Sequence, residues 1–392
     1  MSGKPLLISA AQDATIRIWD AVSEKQTDVI THKDSQVNNL TISPDGLQIA
    51  AASWERVRLY DLNNHGIHSG QAAHTFTVHE KNVTTLGYQA EGDWIFTGGE
   101  DGMAKIWDMR ANPMSCQRIF QVNTPVHCVA LHPNQIELIV ADSTGALYLW
   151  DLRSDRDDSQ VDHVLLSSSL LTEVDLSEYV VHVEIDQTGR QCAAVTNRGH
   201  LFIWNIHSGT LVQAQQMAAE VEPDNGEDQN VPDYSSFTDA NGQPLMVMPP
   251  LGPAPPLDNL SMYNQPFGVM PNHINAPYTL MSNIRPSAKI VAHNTFALKC
   301  HFTPDGLSVA TTSADQTVKI WSATEYKLLK SINVPGKKWI WECAFTNDSK
   351  YMITASSDAL VRMWDLEKSQ IARTYQGHSM AITAMAFKDA NY

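Results

Sequence analysis

Residues 104–108 read AKIWD, a short apolar run that ends in tryptophan and aspartate, and runs of this type recur along the chain. The tryptophans that end them are Trp19, Trp107, Trp150, Trp204, Trp321 and Trp364, and Tyr60 ends a further run, VRLYD. Neighbouring run ends lie 41 to 54 residues apart, apart from one gap of 117. A period of about 40–45 residues with a strand ending in Trp-Asp is typical of a WD-repeat β-propeller. The seven run ends predict seven blades.

A second pattern precedes the runs and predicts a hydrogen-bond relay. Thr97 and Asp101 lie 10 and 6 residues before Trp107, and His79 lies 28 residues before it. In such a set the carboxylate holds the imidazole, the imidazole reaches the hydroxyl, and the hydroxyl accepts the indole N–H. The predicted sets are Ser9, Asp13 and Trp19 with His378; His79, Thr97, Asp101 and Trp107; and His293, Thr311, Asp315 and Trp321. The residues resemble a Ser-His-Asp catalytic set, but their repetition favours a structural role.

The two ends of the chain complement each other. Asp13 and Trp19 follow no histidine, whereas His378 is followed by no aspartate and tryptophan of the relay. We expect two strands from each end to form one blade, which closes the propeller and removes an open sheet edge. The predicted fold class is therefore all-β: a seven-bladed WD-repeat β-propeller closed by strands from both termini, with one long Pro-rich loop insertion. Residues 1–392 are predicted to form this single propeller.

The insertion is predicted at residues 216–285, in the gap of 117 residues. From Val212 to Ile284 there are eight Asp or Glu and no Lys or Arg. The stretch is rich in Pro and Met, without the periodicity of a strand or a helix. We expect a disordered or loosely packed acidic loop within the propeller, either inert or used as a docking segment.

The composition excludes several classes of function. With 27 Lys plus Arg against 43 Asp plus Glu, the net charge is −16, which disfavours binding to nucleic acid or direct insertion into a membrane. Five cysteines without a Cys-x-x-Cys pair fit a reduced intracellular protein. No nucleotide-binding, hydrolase or zinc-protease motif is found. We therefore expect no enzyme activity, no catalytic residue, no cofactor and no metal site.

A propeller without such chemistry is usually a binding platform, formed by the loops before the inner strands and the turns between the second and third strands. These positions predict a contact set: Gln36, Asn38, Trp54, Asn82, Glu100, Asn123, Phe296, Trp339 and Trp341. Trp339 and Trp341 lie outside the periodic position, and residues two apart in a strand share a face. Exposed Trp beside Asn and Gln is typical of interface hot spots. The sequence leaves open whether one or both indoles instead pack between blades.

The sequence closely resembles the family of small WD-repeat subunits of the target-of-rapamycin (TOR) kinase complexes. The resemblance lies in HKDSQVNNL (32–40), FTGGEDGMAKIWDMR (96–110), CQRIFQVNTPVHCVALHPNQIELIV (116–140), TTSADQTVKIW (311–321), WIWECAF (339–345) and ITASSDALVRMWD (353–365). These stretches cover most of the predicted propeller. The insertion departs from the family, whose chains are close to a bare propeller.

The resemblance implies a role and partners. Family members have no catalysis of their own; they bind the C-lobe of a phosphatidylinositol-kinase-like protein kinase of TOR type and stabilise the active kinase. Other subunits of the complexes are then indirect partners. We expect the contact set above to form the kinase-binding face, with Trp339, Trp341 and Gln36 contributing most. The expected location is the cytoplasm, with recruitment to the lysosomal or vacuolar surface through partners.

Three other functions fit a propeller. A substrate receptor of a cullin-type ubiquitin ligase would use Trp-Asp-x-Arg motifs, here ending at Arg110 and Arg153. A heterotrimeric G-protein β subunit would need an N-terminal coiled-coil helix, but a strand pattern begins within the first residues. A hydrolase of the central channel would need an activated nucleophile, and no candidate is identifiable.

Overall fold

The computed structural model describes residues 5–32, 35–62, 72–111, 113–152, 163–165, 178–209, 280–335 and 338–389, with backbone alone at 163–165, 207–209 and 280–283. All regular elements in these residues are β-strands, which confirms the predicted all-β class. Within the same ranges, no helix is long and apolar enough to cross a membrane.

The strands form antiparallel sheets, in which neighbouring strands are consecutive in the chain except where β27 pairs with β1. The first sheet contains β1 (Leu6–Ala11), β2 (Thr15–Asp20), β3 (Gln26–Thr31) and, beside β1, β27 (Ile382–Lys388). A seven-stranded sheet contains β4 (Asn39–Ile42), β5 (Gln48–Ala52), β6 (Trp54–Asp61), β7 (His74–Tyr88), β8 (Trp94–Gly99), β9 (Met103–Asp108) and β10 (Ser115–Gln121). Two four-stranded sheets follow, with β11 (Val126–Leu131), β12 (Glu137–Asp142), β13 (Ala146–Asp151) and β14 (His163–Leu165), and with β15 (Val180–Ile185), β16 (Gln191–Thr196), β17 (His200–Gly209) and β18 (Leu280–Val291). The last two contain β19 (Ala297–Phe302), β20 (Ser308–Ser313), β21 (Thr317–Ser322) and β22 (Leu328–Asn333), and β23 (Ile340–Phe345), β24 (Tyr351–Ser356), β25 (Leu360–Asp365) and β26 (Gln370–Gln376).

The seven-stranded sheet results from one long strand. The first part of β7 pairs with β6, as in Phe76 with Val57, and the second part pairs with β8, as in Leu86 with Thr97. β7 is therefore the outer strand for β4–β6 and the inner strand for β8–β10. The inner strands β27, β4, β7, β11, β15, β19 and β23 each contact the next, and β23 contacts β27.

The two ends of the described chain meet in the first sheet, where Leu7 pairs with Phe387 and Ala10 pairs with Ala384. This sheet combines strands from both ends, as predicted, but the predicted division into two and two is wrong. β3 pairs with β2, whereas β26 pairs with β25 of the preceding sheet. The first sheet thus takes three strands from one end and one from the other.

The predicted insertion falls almost entirely outside the described residues. At its end, however, the predicted boundary is wrong, because residues 280–285 belong to β18. There Ile284 pairs with Ile206 and packs against the apolar cluster that contains Trp204. β18 therefore begins before the predicted end of the insertion, because apolar Ile284 pairs with β17.

The core consists of apolar clusters that join neighbouring sheets. Trp19 of the first sheet packs with Ile353, Met363 and Tyr375 of the last one, and its side chain is almost fully buried. Burying a large apolar side chain stabilises a fold by about 1.5–3 kcal/mol. The tryptophans at the run ends therefore hold each sheet to its neighbour.

Deletion of residues 382–392 is expected to remove β27 and expose the edge of β1, together with the apolar cluster around Trp19. We expect loss of cooperative unfolding and aggregation, measured by circular dichroism melts and size-exclusion chromatography. Deletion of residues 390–392, which follow β27, serves as the matched control. A normal melt for the longer deletion would contradict closure through β27.

Candidate functional site

The relay of the first sheet connects residues from both ends of the chain. His378 Nε2 lies 2.9 Å from Ser9 Oγ, and the Trp19 indole N–H donates to the same oxygen over 2.8 Å. His378 Nδ1 lies 3.0 Å from Asp13 Oδ2. Because a carboxylate only accepts, Nδ1 carries the proton of the neutral imidazole and Nε2 accepts from the serine hydroxyl. The four side chains therefore form one continuous chain of hydrogen bonds.

The same geometry occurs in two more places. His79 lies 2.9 Å from Asp101 and 2.8 Å from Thr97, whose hydroxyl also accepts from Trp107 at 2.9 Å. The corresponding distances are 2.9, 2.8 and 3.0 Å in the set of His293, Asp315, Thr311 and Trp321. The structure thus brings together all three sets of side chains that the spacing predicts.

Burial governs the protonation of these groups. Desolvation lowers the pKa of His79 and His378, although Asp101 and Asp13 oppose the shift. Burial also acts to raise the pKa of Asp101, but the hydrogen bonds with His79 and the Glu80 amide outweigh it and the pKa is lowered. A neutral histidine beside an ionised aspartate is the state that the hydrogen-bond geometry requires.

The relay hydroxyls are closed to substrates. Ser9, Thr97 and Thr311 have no solvent-exposed surface. Packing around the relay is tight, because a Cβ on Gly99 would lie 2.6 Å from His79 Nδ1 and 2.8 Å from Asp101 Oδ1. A buried hydroxyl that already accepts an indole N–H has no room for an electrophile. This geometry supports the structural interpretation of the relay.

In the set that contains Tyr60, one direct hydrogen bond takes the place of the relay. His32 Nδ1 lies 2.8 Å from the Tyr60 hydroxyl, and Ala50 occupies the position of the relay hydroxyl. The phenol supplies the oxygen that threonine supplies elsewhere. His32 lies 28 residues before Tyr60, the spacing that also separates His79 from Trp107, and the sequence therefore indicates the pair; Tyr for Trp together with Ala for Thr signals the direct bond.

The set around Trp364 retains part of the relay. Its indole N–H donates to Thr354 over 2.9 Å. The histidine position is taken by Gly336, which lies outside the described residues. Asp358 instead accepts from Arg362 Nη2 at 2.5 Å. An arginine two residues before the tryptophan, combined with glycine at the histidine position, is the sequence signal for this variant.

The sheets of Trp150 and Trp204 use carboxylates at other positions. Asp142 accepts from the hydroxyls of Thr124 and Tyr148. Glu178 accepts from the Thr196 hydroxyl and lies 2.5 Å from His200 Nδ1. Period counting alone does not find them, because neither carboxylate lies six residues before its tryptophan.

An apolar row lies at one end of the inner strands. Its members are Trp54 (50% exposed), Phe296 (45%), Trp339 (45%) and Met380 (50%). Phe296, Trp339 and Met380 lie in loops before inner strands and Trp54 begins β6, on four consecutive sheets. Backbone bonds tie the loops before inner strands to the turns beside them, as in Ser357 N to Trp339 O and Ala314 N to Phe296 O. The row therefore occupies one face.

A polar chain continues this face. The Asn38 side-chain amide donates to Asn82 Oδ1 at 3.3 Å, and the Asn82 amide donates to Glu100 Oε1 at 3.3 Å. Trp54 pairs with Asn82 across the strands, so the polar chain adjoins the apolar row. Gln36 and Asn123 are exposed in the loops before β4 and β11. The structure places the whole predicted contact set on one end of the inner strands.

Trp339 and Trp341 have different environments. Their ring centroids are 5.4 Å apart with planes at 49°, so the rings adjoin but do not stack. Trp339 is exposed, whereas Trp341 is partly buried and its indole donates to Ser357 Oγ at 2.8 Å. The sequence left open whether the two indoles are exposed or packed between blades; Trp339 is exposed and Trp341 is only partly so.

The other motifs have local partners or lie outside the described residues. Arg110 pairs with Asp108 Oδ1 at 3.0 Å and with Asp93 at 3.6 Å, as expected for a rim arginine. Arg153 lies outside the described residues. In the described part of the chain, no group of three or more His, Cys, Asp or Glu side chains is arranged to hold a metal ion.

Comparison with known proteins agrees with this geometry. The family model "WD domain, G-beta repeat" matches residues 24–61, 70–108, 285–322 and 327–365. The chain is 36% identical to the "Target of rapamycin complex subunit LST8" of Bos taurus, with 98% of this chain and 95% of that protein covered. It is 34% identical to the "Protein LST8 homolog" of Drosophila melanogaster, over 98% and 96%. It is 31% identical to the LST8 subunit of Saccharomyces cerevisiae, over 98% and 99%.

Thr97→Val should destabilise the protein by about 1–3 kcal/mol, because it leaves the Trp107 indole N–H and the His79 ring without their shared partner. Equilibrium denaturation measures this loss. Thr77→Val, the same change at an exposed position of β7, is the control. Equal stabilities of the two variants would contradict the structural role of the relay.

The lowered pKa of His32 predicts that the protein loses stability in acid. Desolvation, with a smaller effect of Arg58, lowers its pKa from 6.5 to about 4. Between these pH values the unfolded chain binds a proton that the folded protein does not, so the free energy of unfolding falls as the pH falls, by about 3 kcal/mol at most. His32→Asn should remove this part of the slope in denaturation at about pH 7, 5.5 and 4.5. Exposed His74→Asn should retain it, and an unchanged slope in His32→Asn would contradict the assignment.

Proposed function

The chain belongs to the LST8 family of target of rapamycin complex subunits, and on that basis we propose that it is a non-catalytic subunit of TOR complexes in nutrient and growth signalling. It binds the C-lobe of a TOR-type kinase and stabilises the active kinase. Its direct partner is the kinase, and other subunits associate through the kinase. Recruitment to endomembranes occurs through these partners, in keeping with the net charge of −16.

The observation that carries the proposal is the apolar row of Trp54, Phe296, Trp339 and Met380. Large exposed apolar side chains on one rigid face are typical of a protein interaction site. The loops of Phe296 and Trp339 each lead into an inner strand and are hydrogen-bonded to the adjacent turn. A partner helix laid on such a face buries its apolar side on the row.

The polar chain gives the face a direction. Asn38, Asn82 and Glu100 are connected to each other yet keep further hydrogen-bonding capacity, since an amide and a carboxylate each form several bonds. A partner with polar groups beside its apolar side fits this arrangement in one orientation. We therefore infer that the apolar row supplies most of the affinity and the polar chain the orientation.

Two further proposals concern the architecture of the propeller. We propose seven blades, because β7 serves both β4–β6 and β8–β10 and the inner strands form a closed succession. We also propose that the stretch between β17 and β18 is a loop insertion of the propeller. The pairing of β17 with β18 supports this, since the chain leaves and re-enters one sheet at that point.

Stabilisation of the kinase implies the reciprocal effect. A propeller that binds only the ordered kinase raises the population of that state, and the kinase raises the stability of the propeller by the same linkage. Because a relay histidine precedes Phe296 and Met380 in their loops, these loops need little ordering on binding.

Trp339→Ala should reduce copurification of the TOR-type kinase from native cells by about tenfold or more, while changing the thermal melt little, because the ring is exposed. Quantitative mass spectrometry of the tagged chain measures the kinase. Leu307→Ala, at an exposed residue of the β19–β20 turn on the other end of the sheet, is the control. Undiminished kinase recovery with Trp339→Ala would contradict the assigned face, and recovery of ubiquitin-ligase adaptors without kinase would contradict the function.

A further inference from the structure

Five ionisable side chains meet on three neighbouring inner strands below the apolar row. This inner-strand cluster consists of His182 and Glu184 on β15, Lys299 and His301 on β19, and Glu342 on β23. His301 Nε2 lies 2.7 Å from Glu342 Oε1, and His301 Nδ1 lies 3.3 Å from Glu184 Oε2. Lys299 Nζ lies 3.6 Å from Glu342 Oε2. The cluster thus connects β23 to β19 and β19 to β15.

Backbone groups complete the cluster. The Phe302 amide donates to Glu184 at 2.8 Å, and the Cys300 amide lies 3.4 Å from His182 Nδ1. With a carboxylate on each ring nitrogen, His301 must donate from both and is therefore an imidazolium. Burial opposes this charge, but Glu184 and Glu342 raise the pKa of His301 to about 10. Two cations then neutralise the buried carboxylate of Glu342 and the partly exposed carboxylate of Glu184.

Neighbouring inner strands on the other half of the propeller are joined differently. A side chain at the start of one inner strand bonds a carbonyl of the next: Thr383 to Val37 (2.9 Å), Asn38 to Val83 (3.1 Å), Thr84 to Val126 (2.8 Å) and His127 to Val180 (3.0 Å). Thr383, Thr84 and His127 occupy the irregular position of their strands, where a β-bulge turns the side chain toward a neighbour.

The Trp339 half has no side chain able to form such bridges at the same position. Val181 and Leu298 occupy it in β15 and β19, and Trp341 occupies it in β23. The first two are apolar, and the Trp341 indole bonds Ser357 within its own sheet. Ionic contacts further along the strands join β15 to β19 and β19 to β23 instead. Lys299 and Glu342 lie one residue after the irregular positions, and Glu184 and His301 lie three residues after them.

We propose that Glu342, held by His301 and Lys299, is a positioning residue for the docking face, which consists of the apolar row and the polar chain described above. Glu342 directly follows Trp341, and Lys299 lies three residues after Phe296. Joining Glu342 to β19 sets the distance between the loop of Trp339 and the loop of Phe296. The inference rests on the proposed function, since the kinase is the partner that these loops receive.

The charge state has a consequence for pH. The groups that face His301 are His182 and Glu184 from β15, Lys299 from its own strand and Glu342 from β23. Because its folded pKa is raised, its stabilising contribution is complete below about pH 6.5 and declines as the pH rises to about 10. The imidazolium therefore persists through the neutral range. Both ring nitrogens of His301 should show the ¹⁵N shifts of an imidazolium at about pH 8, and a neutral ring would contradict the cluster as described.

The decisive experiment compares two pairs of conservative variants. His301→Gln and Glu342→Gln weaken the inner-strand cluster, whereas Thr84→Val and Thr383→Val remove bridges on the other half. Affinity for the purified TOR-type kinase and thermal melts are measured for all four full-length chains. We expect a loss of affinity of about tenfold for the first pair, and less than about threefold for the second pair at a comparable loss of melting temperature.

Each outcome decides one point. Equal losses of affinity for the two pairs at equal melting temperature would reduce the cluster to a general contribution to stability and overturn the positioning role. If Trp339→Ala loses the kinase while His301→Gln and Glu342→Gln keep it, the positioning role alone fails. If Trp339→Ala also keeps the kinase, the assigned docking face fails. Should Glu342→Gln not fold, His301→Gln alone still tests the proposal, because it leaves the Lys299–Glu342 pair in place.

Discussion

The buried indole of the run-ending tryptophan sets the main constraint on this structure. The ring fills the space between two sheets, but its N–H must find an acceptor away from water. For Trp19, Trp107 and Trp321 a serine or threonine hydroxyl supplies that acceptor, and a histidine and an aspartate fix the hydroxyl in turn. Through His378 and Ser9 the same relay joins the two ends of the described chain. Packing and hydrogen bonding therefore depend on one set of side chains.

Where the set is incomplete, other side chains meet the same requirement. His32 bonds Tyr60 directly, and Arg362 replaces a histidine beside Asp358. Each exchange keeps a buried hydrogen bond and one residue of the set, His32 or Asp358, but leaves His32 Nε2 and Arg362 Nη1 without a hydrogen-bond partner among the described residues. The polar requirement is thus more constant than the residues that fulfil it.

The relay and the proposed docking face share their loops. Glu100 precedes Asp101, Met380 follows His378 by two residues, and Asn82 follows His79 by three. Interactions that stabilise the sheets consequently hold the exposed residues in place before any partner arrives. The inner strands add an asymmetry, with neutral bridges on one half and the cluster of Glu342 and His301 on the other. Phe296, Trp339 and Trp341 lie on the ionic half, whereas Trp54 lies on the other half.

The sequence by itself determined the all-β WD-repeat fold, the three complete relays and the loops that form the face, and its resemblance to TOR complex subunits pointed to the family. These features depend on spacing within one repeat, which a linear pattern records. Only the tertiary structure decided the continuity of β7, the exposure of Trp339 beside partly buried Trp341, the polar chain of Asn38, Asn82 and Glu100, and the inner-strand cluster. The continuity of β7, the bond between Asn38 and Asn82 and the inner-strand cluster each join different repeats, so they follow from the packing of sheets rather than from any local period. The different exposure of the two tryptophans depends on the three-dimensional course of one loop, which no periodic pattern records.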